Sequence, residues 1–293
     1  MKNTRLTDEF KKYYSRLNEY KFWRKKPQLP QGKYENLKRI TIPVSVVCNF
    51  HCQYCSVFDF EETKPKYKFM DEGDMRQLFN GLKASAFKPD MVTLAGAEPL
   101  LNPNIDKIVD LAISYKFKRI ELISNATMLT EKNIEVLKKV TDIEFSIYPH
   151  SRKIYEKLKG STLLEELQKY ANVNFRIVDV FYDYHESCYF DDPQENYDKC
   201  IMKDQCMVAT KEGLYRCWIL FILGEDVCPY EKAKMRMYLH KKTPFKKCST
   251  CSHWIGEKHA HETLKPDEDS IIVDKAIKLI NEFEESNREL QNY

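Results

Sequence analysis

Ile40-Thr41-Ile42-Pro43-Val44-Ser45-Val46-Val47, followed at once by Cys48-Asn49-Phe50-His51-Cys52-Gln53-Tyr54-Cys55, is the stretch that decides how the chain is read. The first half is rich in β-branched residues and predicts a strand. The second half sets three thiols in a short loop directly after it. Downstream the rhythm alternates. A helix is expected from Asp71 to about Ala86, a strand at Met91–Leu94, a helix at Ile105–Tyr115 and a strand at Arg119–Ile123. Then come a helix at Thr130–Val140, a strand at Ile143–Ile147, one helix ending before Asn172, and a strand at Asn174–Phe181. Strands alternating with helices of this length predict βαβ units and a parallel sheet. In a curved sheet or barrel, functional residues gather at the C-terminal ends of the strands.

Working outward, residues 1–38 read as basic helices ended by Pro27 and Pro30, and residues 39–184 as the barrel. Residues 185–262 carry all seven remaining cysteines, show little helix signal, and contain a hairpin of Met207–Thr210 with Leu214–Cys217 across Lys211-Glu212-Gly213. Residues 263–293 end in an amphipathic helix, Asp269–Leu290.

Composition excludes several classes. With 43% hydrophobic and 31% charged residues, the chain has the balance of a globular protein. Its net charge of +3 gives no strong field for nucleic acid, and Arg24-Lys25-Lys26 reads as a solvated face. The most apolar run, Trp218–Leu223, is too short to span a membrane, and the N-terminus has no signal-peptide core. A cytoplasmic location is therefore expected, where ten cysteines point to metal or catalysis rather than disulfides.

Thiolates are the usual ligands of iron–sulfur clusters, and the loop from Cys48 to Cys55 can wrap three corners of a cubane. Three ligands leave one iron open, as a catalytic metal requires. The competing reading is three-quarters of a zinc site completed by His51.

The spacing C-x3-C-x-aromatic-C, with Tyr54 as the aromatic, resembles the signature of the radical S-adenosylmethionine (SAM) superfamily. Further landmarks follow in order. Ala95-Gly96-Ala97-Glu98-Pro99-Leu100-Leu101 is similar to the family's G-G-E-P-L segment, and Ser124-Asn125-Ala126-Thr127 to its T-N-G turn; Ser146 stands at the end of the fourth strand. The resemblance, over about residues 39–181, implies a partial (β/α)6 TIM-type barrel of parallel strands. It implies a [4Fe-4S] cluster on Cys48, Cys52 and Cys55, with SAM on the open iron. Backbone groups of Gly96, Ala97 and Glu98 would hold the SAM amine, which requires that φ at Ala97 not be positive. Ser124, Asn125 and Ser146 would meet its ribose and carboxylate. Arg176 would either pair with that carboxylate or form a surface ion pair. A reductant such as flavodoxin or ferredoxin supplies the electron that cleaves SAM to a 5′-deoxyadenosyl radical, which takes a hydrogen from the substrate.

The later cysteines, with the Gly213-Leu214-Tyr215-Arg216-Cys217 hairpin and Cys248-Ser249-Thr250-Cys251, resemble the SPASM/Twitch extensions of that superfamily. The resemblance implies one auxiliary [4Fe-4S] cluster on Cys217, Cys248 and Cys251, with Cys200 or Cys206 as the fourth ligand. The alternative there is structural zinc. Cys188 and Cys228 are left over as buried thiols, or, for Cys228, a hydrogen donor to a substrate radical. His253, His259 and His261 read as loop histidines, and Tyr182, Tyr184, Tyr189 and Phe190 as packing. The Ser146-Ile147-Tyr148-Pro149 strand end and the hairpin are similar to radical SAM proteins of carbohydrate and natural-product tailoring. A sugar or aminocyclitol, oxidised or epimerised, is the expected substrate. A ribosomally made peptide is the runner-up, and a non-catalytic zinc scaffold is the reading from another class.

Overall fold

The computed structural model describes residues 39–52, 55, 68–178, 180–182, 193–200, 207–249, 260–262 and 270–291. Outside them lie Tyr54, Cys188, Cys206, Cys251, His253, His259, Tyr184, Tyr189, Phe190 and the basic helices expected before residue 39.

Strands β1 (Arg39–Ser45), β2 (Met91–Gly96), β3 (Arg119–Ser124), β4 (Asp142–Ile147) and β5 (Asn172–Ile177) pair in parallel, each beside the next. A further strand in the chain, β6 (Val180–Tyr182), stands apart and pairs antiparallel with β9 (Ala260–Glu262). The sixth parallel strand of the main sheet is β7 (Met207–Ala209), which joins beside β1 and turns back as β8 (Leu214–Tyr215). The order is β5-β4-β3-β2-β1-β7-β8, a mostly parallel α/β sheet of the partial TIM-barrel type. The expected hairpin is present, and it extends the core sheet.

Between the strands run α1 (Glu72–Ala84), α2 (Ile105–Ser114), α3 (Glu131–Leu137), α4 (Arg152–Leu158) and α5 (Thr162–Gln168). Asp71 caps α1 by accepting from Asp74 N at 2.8 Å, and Thr130 Oγ1 caps α3 by accepting from Asn133 N at 3.3 Å. The single helix expected before Asn172 is two, because Ser161 Oγ accepts from Leu164 N at 3.1 Å and starts a new helix at Thr162. Likewise the strand expected to run through Phe181 ends at Ile177, and Val180–Tyr182 belongs to the other sheet.

One face of the sheet is apolar and covered by helices. Ile40, Ile42, Leu94, Leu122, Ile143 and Phe145 are fully buried there against Met75, Leu78, Ile108, Leu137 and Leu158. Each such side chain contributes ~1.5–3 kcal/mol through burial. The alternate residues form the inward face of the half-barrel, and many of them are polar. Arg39 reaches Thr93 at 2.8 Å and Glu121 at 2.6 Å, and Arg119 pairs with the buried Asp142.

Residues 185–262 hold more helix than expected: α6 (Pro193–Lys199), α7 (Trp218–Leu223) and α8 (Lys232–Leu239). They are short, so periodicity gives them little signal, and packing decides them. The closing helix α9 (Ser270–Gln291) buries Val273, Ala276 and Ile280 and packs on α4 and α5, with Lys157 Nζ 2.8 Å from Glu284. Among the described residues, no helix is long and apolar enough to cross a membrane.

Candidate functional site

Pro43 in β1 has no N–H to give, and the register of β1 against β2 slips between Pro43 and Ser45. There the backbone of Gly96 comes down on Ser45 with φ of +127°, and a Cβ would overlap the Ser45 carbonyl oxygen. Beyond it, Ala97 N donates to Ser45 O at 2.8 Å and Glu98 N to Val47 O at 3.0 Å. The end of β2 is thus stitched to the segment that delivers Cys48. Ala97 is not among the described residues with positive φ, so the condition set for it is met.

The Glu98 carboxylate is fully buried and accepts three hydrogen bonds. Leu100 N donates to Oε1 at 2.9 Å, Ser124 Oγ to Oε1 at 2.9 Å, and Asn125 N to Oε2 at 2.7 Å. Burial outweighs these donors and pushes its pKa up to about 7. Asn125 then turns to the cysteine loop. Its Nδ2 donates to Asn49 Oδ1 at 3.0 Å and approaches Cys48 Sγ at 3.5 Å, while Asn49 Nδ2 donates to Thr127 Oγ1 at 2.7 Å. Asn102 anchors the other flank by donating to Val44 O at 2.7 Å and Met70 O at 2.8 Å.

Tyr148 and His150 stand beside the cysteine loop, each ring edge-on to Phe50. Cys48, Cys52 and Cys55 all act on the Tyr148 hydroxyl, whose pKa is raised chiefly by burial and further by these thiols. Cys48 Sγ accepts from Phe50 N at 3.3 Å, and Cys52 Sγ lies 3.8 Å from His150 Nε2. Burial, then the Glu98 charge, pushes the Cys48 thiol up to about 12. A bound cation would favour the thiolate at this sulfur. N–H groups aimed at the sulfur suit the thiolate that results. The residues present fit an iron–sulfur cluster. Among the described residues, no three Cys, His, Asp or Glu side chains are gathered as around a single metal ion. A cubane spreads its ligands over separate irons, so its thiols stand further apart.

Ser146 is buried and its Oγ accepts from Arg176 Nη2 at 2.9 Å, while Arg176 Nε lies 3.0 Å from Glu144 Oε1. Arg176 thus makes an ion pair, with half its side chain open to solvent, on the inward face.

The second cysteine group flanks the hairpin in the chain. Cys217 precedes α7, Cys200 follows α6, and Cys248 sits in the turn Lys246–Ser249. Cys217 and Cys248 pack on one apolar cluster with Tyr197, Phe221 and Phe245. Burial raises the Cys248 pKa, with the neighbouring Cys200 adding to it. Cys206 and Cys251 lie outside the described residues. Cys228 is buried, its Sγ facing Pro229 O at 3.6 Å, and burial raises its pKa. Among the described residues, no two cysteines form a disulfide.

The sequence reading named Glu98, Ser124, Asn125 and Arg176 but missed Asn49, Asn102, Thr127 and the His150 contact. An Asn just after a strand or turn was the only signal for the first two, and it is a common one.

Residues 42–175 match the model of the radical SAM superfamily. That segment is similar to a radical SAM domain. Members of that superfamily use a [4Fe-4S] cluster and SAM. The chain is also similar to a GTP 3′,8-cyclase of Mannheimia succiniciproducens, with 25% identity over 141 residues, 47% of this chain and 41% of that protein. It thus spans about two fifths of the length of that curated relative. Among solved structures, BtrN in complex with AdoMet and 2-DOIA is similar at 18% identity, covering 72% of this chain and 84% of BtrN with a TM-score of 0.48. SuiB of Streptococcus suis is similar at 15% identity, covering 70% of this chain and 66% of SuiB with a TM-score of 0.43. The matched segment spans β2 to β4 whole, with most of β1 and β5.

Proposed function

We propose that this protein is a radical SAM enzyme in which Cys48, Cys52 and Cys55 hold a [4Fe-4S] cluster. The observation that carries this is the cysteine loop at the end of β1, held by Asn125 at Cys48 and Asn49 and set beside the turn Gly96–Glu98, which is bonded to Ser45 and Val47. Bound there, the cluster and SAM supply a 5′-deoxyadenosyl radical that abstracts hydrogen from substrate.

The chain's own groups divide the rest of the work. The N–H groups of Ala97 and Glu98 are taken by Ser45 O and Val47 O, and Glu98 O accepts from Leu101 N, so the carbonyls of Gly96 and Ala97 are the ones to meet the SAM amine. Glu98 acts through Ser124 and Asn125, holding the β2 and β3 ends together, and Asn125 steadies the cysteine loop. Phe50, Tyr148 and His150 wall the loop against water. Arg176 and Ser146 offer charge and hydrogen bonds to the SAM carboxylate.

We take Cys217, Cys248 and Cys251, with Cys200 or Cys206, to hold an auxiliary cluster, and the substrate to be a sugar or aminocyclitol, oxidised or inverted at one carbon. The polar inward face, with Glu144, Ser146 and Arg176, suits a hydroxyl-rich small molecule better than an apolar one. A small reducing protein such as flavodoxin or ferredoxin would supply the electron.

Iron, zinc and sulfide content after anaerobic reconstitution tests this, comparing the full chain with a Cys48/Cys52/Cys55→Ala variant. About eight irons falling to about four supports both clusters; about four falling to none leaves only the first. Zinc without iron in both proteins sinks the reading.

A further inference from the structure

His150 follows β4 in the turn Pro149–Ser151, and its ring is fixed from three sides. It stands edge-on to Phe50, with centroids 4.5 Å apart and planes at 89°. It stacks on Tyr148 with centroids 5.7 Å apart and planes at 5°. The turn itself is closed by Tyr148 N donating to Ser151 Oγ at 2.9 Å and Ser151 Oγ donating to Tyr148 O at 3.2 Å. A ring clamped in this way cannot swing freely, so Nε2 stays 3.8 Å from Cys52 Sγ, within reach of a hydrogen bond to sulfur.

The direction of that bond depends on what Cys52 carries. A free thiol can donate to an imidazole nitrogen. Sulfur bound to iron has lost its proton and can only accept. With the cluster in place, the contact survives only if Nε2 is the protonated nitrogen.

We propose that His150 is a positioning residue that donates Nε2–H to the cluster-bound sulfur of Cys52 and thereby raises the cluster's reduction potential. The proposal rests on the cluster reading above. Adding an electron increases the negative charge on the sulfurs, so a donor aimed at one stabilises the reduced state more than the oxidised one. The buried surroundings of Cys52 strengthen the effect. Cys48 carries its own donors, Phe50 N and Asn125 Nδ2. His150 therefore extends this hydrogen bonding to a second corner of the cluster, and does so from a different strand end.

The test uses the full chain, reconstituted anaerobically, as wild type, His150→Phe and His150→Gln. Phenylalanine keeps the ring packing without the donor; glutamine places an N–H near the position of Nε2. Iron and sulfide are measured first, and the potential is then followed by electron paramagnetic resonance on the signal that changes when SAM is added. At a fixed poise, His150→Phe should show a reduced-to-oxidised ratio about tenfold below wild type, equivalent to ~59 mV for one electron. His150→Gln should recover most of that difference. A Phe variant with a full cluster and the wild-type potential overturns the proposal, as does a Gln variant that titrates with Phe.

If His150→Phe loses its iron, wild type grown with 15N-histidine decides. Coupling of the label to the reduced cluster, absent from labelled His150→Gln, supports the bond, and absence of coupling in wild type overturns it. A wild type that takes up no iron overturns both readings. It is recognised by metal analysis before any potential is measured.

Discussion

Asn125 N lies 2.7 Å from the Glu98 carboxylate, and this one bond fixes the end of β3 to the end of β2 at the level of the cysteine loop. Glu98 titrates at about 7 in the folded chain, against an ordinary value of 4.5. Between those pH values the folded state binds more protons than the unfolded state, so stability falls as pH rises from 4.5 and levels off above about 7. The full effect is on the order of 3 kcal/mol. Urea midpoints at pH 5 and pH 8 should therefore fall further for wild type than for Glu98→Gln. Parallel pH profiles for the two proteins would contradict this account of the carboxylate.

Gly96 has a different constraint. Its φ of +127° and the Ser45 carbonyl against its Cα leave no room for a side chain. Gly96→Ala should cost at least ~2 kcal/mol, combining backbone strain with the forced opening of β1 from β2. Thermal unfolding measures it, and an unchanged midpoint would mean the two strand ends are not in close contact.

Asn102 is buried and satisfies Met70 O and Val44 O with one amide. Replacing it by alanine strands a buried carbonyl and should cost ~1–3 kcal/mol. Because Val44 lies just before the cysteine loop, Asn102→Ala should also lower iron uptake on reconstitution relative to wild type. Normal uptake with lowered stability would confine Asn102 to folding.

Lys116 ends α2 in the left-handed region with φ of 64°, and it is exposed. Its backbone N donates to Ile113 O at 2.9 Å, closing the helix. Glycine is the residue that accepts this conformation without strain, so Lys116→Gly should stabilise the chain by ~0.5–1 kcal/mol in urea titrations. A loss of stability would place the cost of glycine in the unfolded chain above the strain it relieves.

The sequence made β1 to β4 legible because each is a short apolar run between helices whose buried positions recur at helical spacing, as Met75, Leu78 and Leu82 do in α1. The cysteine triad and Glu98 were legible for another reason: they sit in fixed order at successive strand ends. What Glu98 and Asn125 do was not legible. Their bonds cross 27 residues of chain, and no local pattern encodes them. The break after Ile177 was missed because Phe175 through Phe181 stays rich in β-branched and aromatic residues, and only the pairing partner changes. The helices of residues 193–239 are too short for periodicity to declare them.

The neighbour of β1 on its other side bears on how the protein can be dissected. β7 covers the flank of β1 that β2 leaves open, pairing with Ile40 and Thr41. Cutting the chain after β5 would retain the whole segment that matches the superfamily yet expose an edge of unpaired backbone groups. Such an edge invites other chains to add to it. The isolated domain should therefore self-associate and precipitate on expression, and the hairpin beyond it serves as a guard against aggregation.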